Sequence, residues 1–236
     1  MNVAMIIAGG SGQRMGQDIP KQFLNVNDRP VIIYTLEAFQ KHPNIDAIAV
    51  VCLKGWDQIL WAYAKQFNIT KLKWVFEGGE NGQGSLRNGV MGLKEVCSED
   101  DIILIHDAIR PMVSQEIISN NISCCMQNGN SITVIPCAEA MLLREDENSS
   151  IEQIPRASLA RTQTPQAFPL GKLIWAHEEA LKRGITNSIA TCTLMVELGE
   201  KVYFSAGSEK NVKLTTTEDI EIFKALLVSK KDEWLK

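Results

Sequence analysis

The residues best placed to do chemistry lie in one stretch near the start of the chain, Val3–Lys21, which reads VAMIIAGGSGQRMGQDIPK. An apolar run, Val3–Ala8, suits a strand covered on both faces, and Gly9, Gly10 and Gly12 strip the side chains from the turn after it. Bare backbone approaches a phosphate closely, and successive N–H groups can converge on an anion. Arg14 and Lys21 follow seven residues apart, and Pro20 holds Lys21 out of regular helix. The loop is not a dinucleotide fingerprint, because Met15 stands where a third glycine is needed and the second strand ends in Val51-Cys52 without an acid. Nor is it a Walker A loop, since Gln17-Asp18 follows Gly16. What remains is a glycine cradle for a triphosphate with two cations that could withdraw charge from a phosphoryl group under attack. Read without that cradle, the same two cations are ordinary surface charge.

Three later stretches could join it. Gly78-Gly79 ends an apolar run and opens the bare segment Glu80–Ser85, where two glycines admit a flat ligand and the Ser85 hydroxyl could bond a base edge. Ile102–Ile105 runs into His106-Asp107-Ala108-Ile109-Arg110-Pro111, which places Asp107 to meet a metal or a ribose hydroxyl beyond a strand end, or else to pair with Arg110 across a turn. Asn211-Val212-Lys213 brings a third cation. His106 reads as a packing residue.

The elements that must position these residues alternate. Ile32, Leu36 and Phe39 stripe a first helix opened by Arg29-Pro30. Asp46–Cys52 is a second strand, and Trp56, Leu60, Tyr63 and Phe67 stripe the helix after it, a spacing that favours core over a base-stacking platform. Lys73–Glu77 is a third strand, followed by a helix with Leu86, Val90 and Leu93 inward. A helix over Gln115–Gln127, a strand over Ser131–Pro136, a hairpin within Cys137–Pro155 and a strand over Val202–Ser205 complete the order. Thr216-x-x-Asp219 caps a closing helix striped by Ile220, Phe223 and Leu227. The expected fold is one α/β domain, a Rossmann-like three-layer arrangement with a mostly parallel sheet and a protruding β-arm at 137–155.

Composition narrows the function. The chain has 236 residues, 45% of them hydrophobic, and a net charge of −4, which advertises neither nucleic-acid nor anionic-membrane binding. With no basic leader and no apolar run long enough for a membrane span, the expected location is the cytoplasm. The six cysteines show no C-x-x-C spacing and the three histidines are far apart, so buried reduced thiols are expected rather than a zinc site.

AGGSGQRMG with PKQFL, GGENGQGSLRNG, IHDAIRP, PR-x7-TPQAF and NVKLTTTED together resemble the bacterial cytidylyltransferases of polyol phosphates, which act on 2-C-methylerythritol 4-phosphate or ribitol 5-phosphate. The resemblance covers nearly the whole chain. It implies transfer of CMP from CTP to a polyol phosphate, with Arg14, Lys21 and Lys213 as catalytic cations. It also implies nucleotide contacts from Ala8, Gly9, Gly10, Ser11, Gly12, Gly78, Gly79, Ser85 and Asp107, with Mg²⁺ held with help from Asp107. Arg110, Arg156 and Thr164 match positions near the acceptor phosphate, and the arm implies a homodimer in which each arm embraces the other subunit. The chain departs from its relatives at Gly82, where they carry arginine, at Glu139-Ala140, where Asp-Thr is common, and over Ser188–Cys192, where Thr-Asp is general. A nucleotide sensor without catalysis is the alternative those departures raise, and an NAD-dependent oxidoreductase is the one the missing glycine opposes. Lys54-Gly55-Trp56 and the threonines around Thr215 point to ribitol phosphate, and Arg156-x-x-Leu159 to methylerythritol phosphate. The wide occurrence of isoprenoid biosynthesis tips the expectation to the latter.

Overall fold

The computed structural model describes residues 1–10 and 19–232. Strand β1 (Asn2–Ala8) lies between β4 (Ala47–Cys52) and β6 (Ile102–Asp107), parallel to both, and β4 pairs in parallel with β5 (Leu72–Glu77). All six residues of β4 are buried, as a strand covered on both faces requires. The full sheet runs β11-β7-β10-β6-β1-β4-β5, where β7 is Ser131–Pro136, β10 is Ala160–Pro169 and β11 is Phe204–Ala206. Among the described strands of this sheet, only β10 is antiparallel to its neighbours.

Helices cover both faces. On one, α1 (Val31–Lys41), α2 (Asp57–Gln66) and α4 (Gln115–Asn128) pack on a core containing Ile6, Ile32, Leu36, Phe39, Val50 and Leu60. On the other, α3 (Gly82–Lys94), α5 (Leu170–Lys182) and α6 (Thr191–Glu197) pack on a core containing Met5, Val51, Val90, Leu93, Ile103 and Leu173. The Trp56–Phe67 stripe is core, as its spacing indicates: Leu60 is buried, and Trp56 stacks on Phe23 with ring centroids 4.6 Å apart. The closing helix α7 (Thr217–Asp232) starts as the sequence requires, the Asp219 carboxylate accepting from the Thr215 and Thr216 N–H groups while Thr216 accepts from the Asp219 N–H.

Two local features add to this. Arg29-Pro30 opens α1 as expected, Pro30 being its N-cap, and also forms strand β3, paired with β2 (Asn25–Val26) across Asn27 and Asp28, both at positive φ. The Thr164-Pro165-Gln166 segment interrupts β10 in mid-strand. Thr162 pairs with Val134 and Gln166 with Ile132, so four steps along β10 oppose two along β7. Such a bulge re-aims side chains, and here it turns Gln163 and Thr164 towards the carboxyl end of β6. The arm is present as β8 (Met141–Leu143) and β9 (Glu152–Ile154), an antiparallel pair outside the main sheet.

Candidate active site

Because β1, β4, β5 and β6 run in parallel, their carboxyl ends open together, and there lies a cavity of about 680 Å³. Its walls bring together Ala8, Gly9, Gly10, Lys21, Gly79, Ser85, Asp107, Arg110, Thr164 and Lys213, residues drawn from across the sequence. Arg14, Ser11 and Gly12 lie outside the described residues.

Lys21 sits on a single 3-10 turn, Lys21–Phe23, and two neighbours moor it. Gln22 is buried and its Nε2 donates to the Ala8 carbonyl at 2.7 Å and to the Gly10 carbonyl at 3.0 Å; Phe23 is the ring stacked on Trp56. Sequence reasoning missed Gln22. The signal was available: a glutamine wedged between the cation and a core phenylalanine in PKQF has no reason to be polar unless it bonds backbone.

The glycines act differently from expectation. Gly78 and Gly9 pack against each other: a Cβ at Gly78 would stand 3.2 Å from the Gly9 Cα, and one at Gly9 would stand 2.9 Å from the Ser85 Oγ. At Gly79 a Cβ would fall 2.5 Å from the Gly84 carbonyl carbon. These glycines therefore let the chain's own strand ends and the start of α3 close together, before any ligand is considered, and Gly78 does not line the cavity. Ser85 accepts the Gly79 N–H at 3.0 Å, which leaves its hydroxyl proton to offer to a ligand. At Gly82 a Cβ would meet nothing within 4 Å, so local packing does not exclude the arginine of its relatives.

Asp107 is the electrostatic centre. Its Oδ2 accepts from Arg110 Nε and from Lys213 Nζ, each at 3.1 Å. Burial opposes its ionisation, but the charges of Lys213 and then Arg110 outweigh that and hold the carboxyl below the usual aspartate value. The Asp107–Arg110 turn pair and the cavity position thus coexist. Arg110 also donates to the Asn211 carbonyl at 2.7 Å, which ties the Lys213 segment to the end of β6.

His106 is more than packing. A carbonyl can only accept, so the 3.1 Å contact to the Arg110 oxygen assigns the ring proton to Nε2, and Nδ1 then accepts from the Thr164 hydroxyl at 3.0 Å. Thr164 Oγ1 in turn accepts the Asp107 N–H at 3.1 Å. The Thr164 hydroxyl proton is already given to His106, so this residue braces the Asp107 turn rather than standing free to donate to an acceptor phosphate. Burial drives the His106 pKa down to about 4, and the ring is neutral at pH 7.

Arg156 is not brought to the cavity. It lies on an exposed turn, Arg156–Ser158, at the foot of the arm and donates to the Ala138 carbonyl at 3.0 Å. Lys54 and Trp56 are also outside it; Lys54 pairs with Glu77 at 3.4 Å. At the opposite wall, Gln83 donates to the Ile185 carbonyl and accepts the Ser188 N–H, each at 2.7 Å, so α3 clasps the segment that leads into α6. Around 188–192, which holds no carboxylate, the Thr193 hydroxyl accepts the Ala190 N–H at 3.0 Å, and the Ser188 hydroxyl bonds Thr193 and Glu197. All six cysteines are free, and among the described residues no cluster of His, Cys, Asp and Glu could hold a metal ion alone.

A family model described as IspD, 2-C-methyl-D-erythritol 4-phosphate cytidylyltransferase, matches residues 2–229. The chain belongs to this family. It is accordingly a cytidylyltransferase. A ribitol-5-phosphate cytidylyltransferase of Lacticaseibacillus paracasei is 47% identical, covering 98% of this chain and 99% of the relative. One of Vibrio parahaemolyticus is 40% identical over 96% of each chain. A 2-C-methyl-D-erythritol 4-phosphate cytidylyltransferase of Clostridium botulinum is 33% identical, over 96% of this chain and 97% of the other. Among solved structures, the 4-diphosphocytidyl-2C-methyl-D-erythritol synthase of Anaerococcus prevotii superposes with a TM-score of 0.80 at 26% identity, covering 95% and 97% of the two chains. The α/β nucleotidyltransferase fold expected from the sequence is thereby shown.

Proposed function

We propose that this cytidylyltransferase transfers CMP from CTP to ribitol 5-phosphate, giving CDP-ribitol and pyrophosphate. One observation carries the acceptor: the relatives at 47% and 40% identity, aligned almost end to end, act on ribitol 5-phosphate, whereas those acting on 2-C-methylerythritol 4-phosphate stand at 33%. That weighs against the isoprenoid acceptor which the sequence reading favours on prevalence alone. A phosphate oxygen of the acceptor attacks the α-phosphorus; a new P–O bond forms as the α–β bridging bond breaks, and pyrophosphate leaves with that electron pair. Lys21 and Lys213 offset the charge that develops, with Arg14 as the third cation of the reading. Positioning supplies much of the rest.

Mg²⁺ fits as an ion that travels with the nucleotide, because such an ion needs only one or two carboxylates besides phosphate oxygens and water. Asp107 is the residue that would hold it, and when bound the ion neutralises triphosphate charge. The protein is read as cytoplasmic; no helix among the described residues is long and apolar enough to cross a membrane.

Pyrophosphate release from CTP, with each acceptor in parallel and with or without a chelator, tests the reading. A preference in kcat/KM of about a hundredfold for ribitol 5-phosphate is expected, two hydrogen bonds' worth of discrimination or more, and chelation should silence the reaction. Equal or reversed preference would overturn the acceptor.

The arm is read as a dimer contact. Met141, Leu142, Leu143 and Ile151 leave large apolar side chains exposed on it, Ile151 at 88%, which a second copy of the chain would cover. Sedimentation at micromolar concentration is expected to give twice the mass of the chain, and a monomer there would count against the arm's role.

A further inference from the structure

Lys213, one of the cations read as catalytic, rides on backbone that belongs to no helix or strand, between the end of β11 at Ala206 and the start of α7 at Thr217. Its ammonium nonetheless meets the Asp107 carboxylate at 3.1 Å. A charge on a flexible four-carbon stem keeps such a place only if the backbone beneath it is fixed, and the ladder of the sheet ends before it.

Side chains fix it instead. Gln163, buried in the bulge of β10, lies against Ser208 as one strand lies against another: its Nε2 donates to the Ser208 carbonyl at 2.9 Å and its Oε1 accepts the Ser208 N–H at 3.3 Å. Gly207 lets the two approach, since a Cβ there would stand 2.5 Å from the Gln163 Oε1. Asn211 completes the joint. It is wholly buried, its Nδ2 donates to the Thr164 carbonyl at 2.9 Å and to the Gln163 Oε1 at 3.2 Å, and its own carbonyl accepts from Arg110 Nη1 at 2.7 Å. On the far side of Lys213, the Leu214 N–H donates to the Ile109 carbonyl at 2.9 Å.

Both cations that hold Asp107 therefore meet at Asn211, Arg110 through the asparagine carbonyl and Lys213 two residues along the chain. The Asn211 amide gives the fold less than a fully paired one would: among the described residues its Oδ1 has no hydrogen-bond partner, and a buried carbonyl left unpaired costs stability. Its two donated bonds both end in the bulge, on residues that line the cavity. We propose that Asn211 is a positioning residue for the reaction, which with Gln163 fastens the Lys213 segment to the β10 bulge and so places the Lys213 ammonium on Asp107. The catalytic consequence rests on the reading of Lys213 as a cation of the phosphoryl transfer; the placement itself does not.

Asn211→Ala is expected to lower kcat and kcat/KM together by about ten- to a hundredfold, as a misplaced catalytic group does. Gln163→Met, which keeps the length of the side chain without its bonds, should lower both by less, because Asn211 keeps its bond to Thr164. In a Lys213→Ala background neither substitution should lower kcat further, since a residue that acts through the ammonium has nothing left to place. A merely structural role would lower activity by the same factor in both backgrounds, and that result would overturn the proposal. Brief reductive methylation of the ligand-free proteins, read by peptide mass spectrometry, follows the ammonium without turnover. Lys213 should label severalfold faster in both variants than in the wild type, while Lys172, paired with Glu200 at 2.7 Å, labels at the wild-type rate in any variant that is folded. Faster labelling of Lys172 in Asn211→Ala would mark that variant as unfolded and leave the decision to Gln163→Met. An unchanged Lys213 rate in a folded variant would overturn the placement. A Lys213→Ala enzyme with the wild-type kcat, or a wild-type protein silent towards ribitol 5-phosphate, would instead defeat the reading beneath the proposal, and the labelling would still decide whether Asn211 places Lys213.

Discussion

Replacing Lys21 with alanine is expected to lower kcat by about a hundred- to a thousandfold while the protein stays folded, the loss seen when one preorganised charge-stabilising group is removed. The reason for separating chemistry from folding is local. The turn that carries Lys21 is fastened by its neighbours, Gln22 to the Ala8 and Gly10 carbonyls and Phe23 to Trp56. Removing the ammonium leaves those anchors in place, so stability should change by no more than about 0.5 kcal/mol. CTP affinity should fall less than kcat, because a cation that acts on developing charge is worth most in the transition state. Single-turnover kinetics with a melting curve would check both. An unchanged kcat in the folded variant would take lysine out of the chemical step.

Acidification from pH 6.5 to pH 4 is expected to remove much of the protein's stability. His106 and His177 are both buried and both held at about 4, by burial first in each case, with the Arg87 charge adding to it at His177. His42 shifts in the same direction, again chiefly by burial. In the unfolded chain each imidazole protonates near 6.5. Between those values the unfolded state binds protons that the folded state refuses, so stability falls as pH falls, and the decline from these groups levels off once the folded histidines protonate. His106 and His177 alone give a slope of about 2.7 kcal/mol per pH unit and a total of about 7 kcal/mol, set against the 5–15 kcal/mol of a typical domain. Asp107, whose carboxyl is held below the ordinary value, adds a further loss only below about pH 4. Denaturant melts at pH 7 and pH 5 would measure the slope. Among the described residues neither ring nitrogen of His177 has a partner, so His177→Leu should be neutral or stabilising at pH 7 and should lower the slope by about one proton. Equal stability at pH 7 and pH 5 would show that these histidines are not held neutral.

The site itself was partly legible. Glycines after an apolar strand, and an acid or a cation after another, mark strand ends that a parallel sheet must gather on one edge, and Gly9, Gly79, Asp107 and Lys213 do line one cavity. Gln83 and Gln166 were not legible, because a glutamine's task depends on which backbone groups tertiary packing leaves bare, and those lie up to 105 residues away. Arg156, which the resemblance sets near the acceptor phosphate, lies at the foot of the arm outside its own chain's cavity, and a motif states the residue type and not which surface its segment faces.

By itself the sequence determined the layers. Continuous apolar runs and period-3.6 apolar patterns are local properties of the chain, so β1, β4, β6, β7, α1, α3 and α4 could be placed within a few residues, and the combined motifs determined the family. Only the tertiary structure decided that β10 runs antiparallel with a bulge at Gln163–Pro165 and that the Thr164 hydroxyl is spent on His106. Each of these is a matter of which donor meets which acceptor. Hydrogen bonds between distant segments are settled by register and packing together, and no local pattern of residues encodes them.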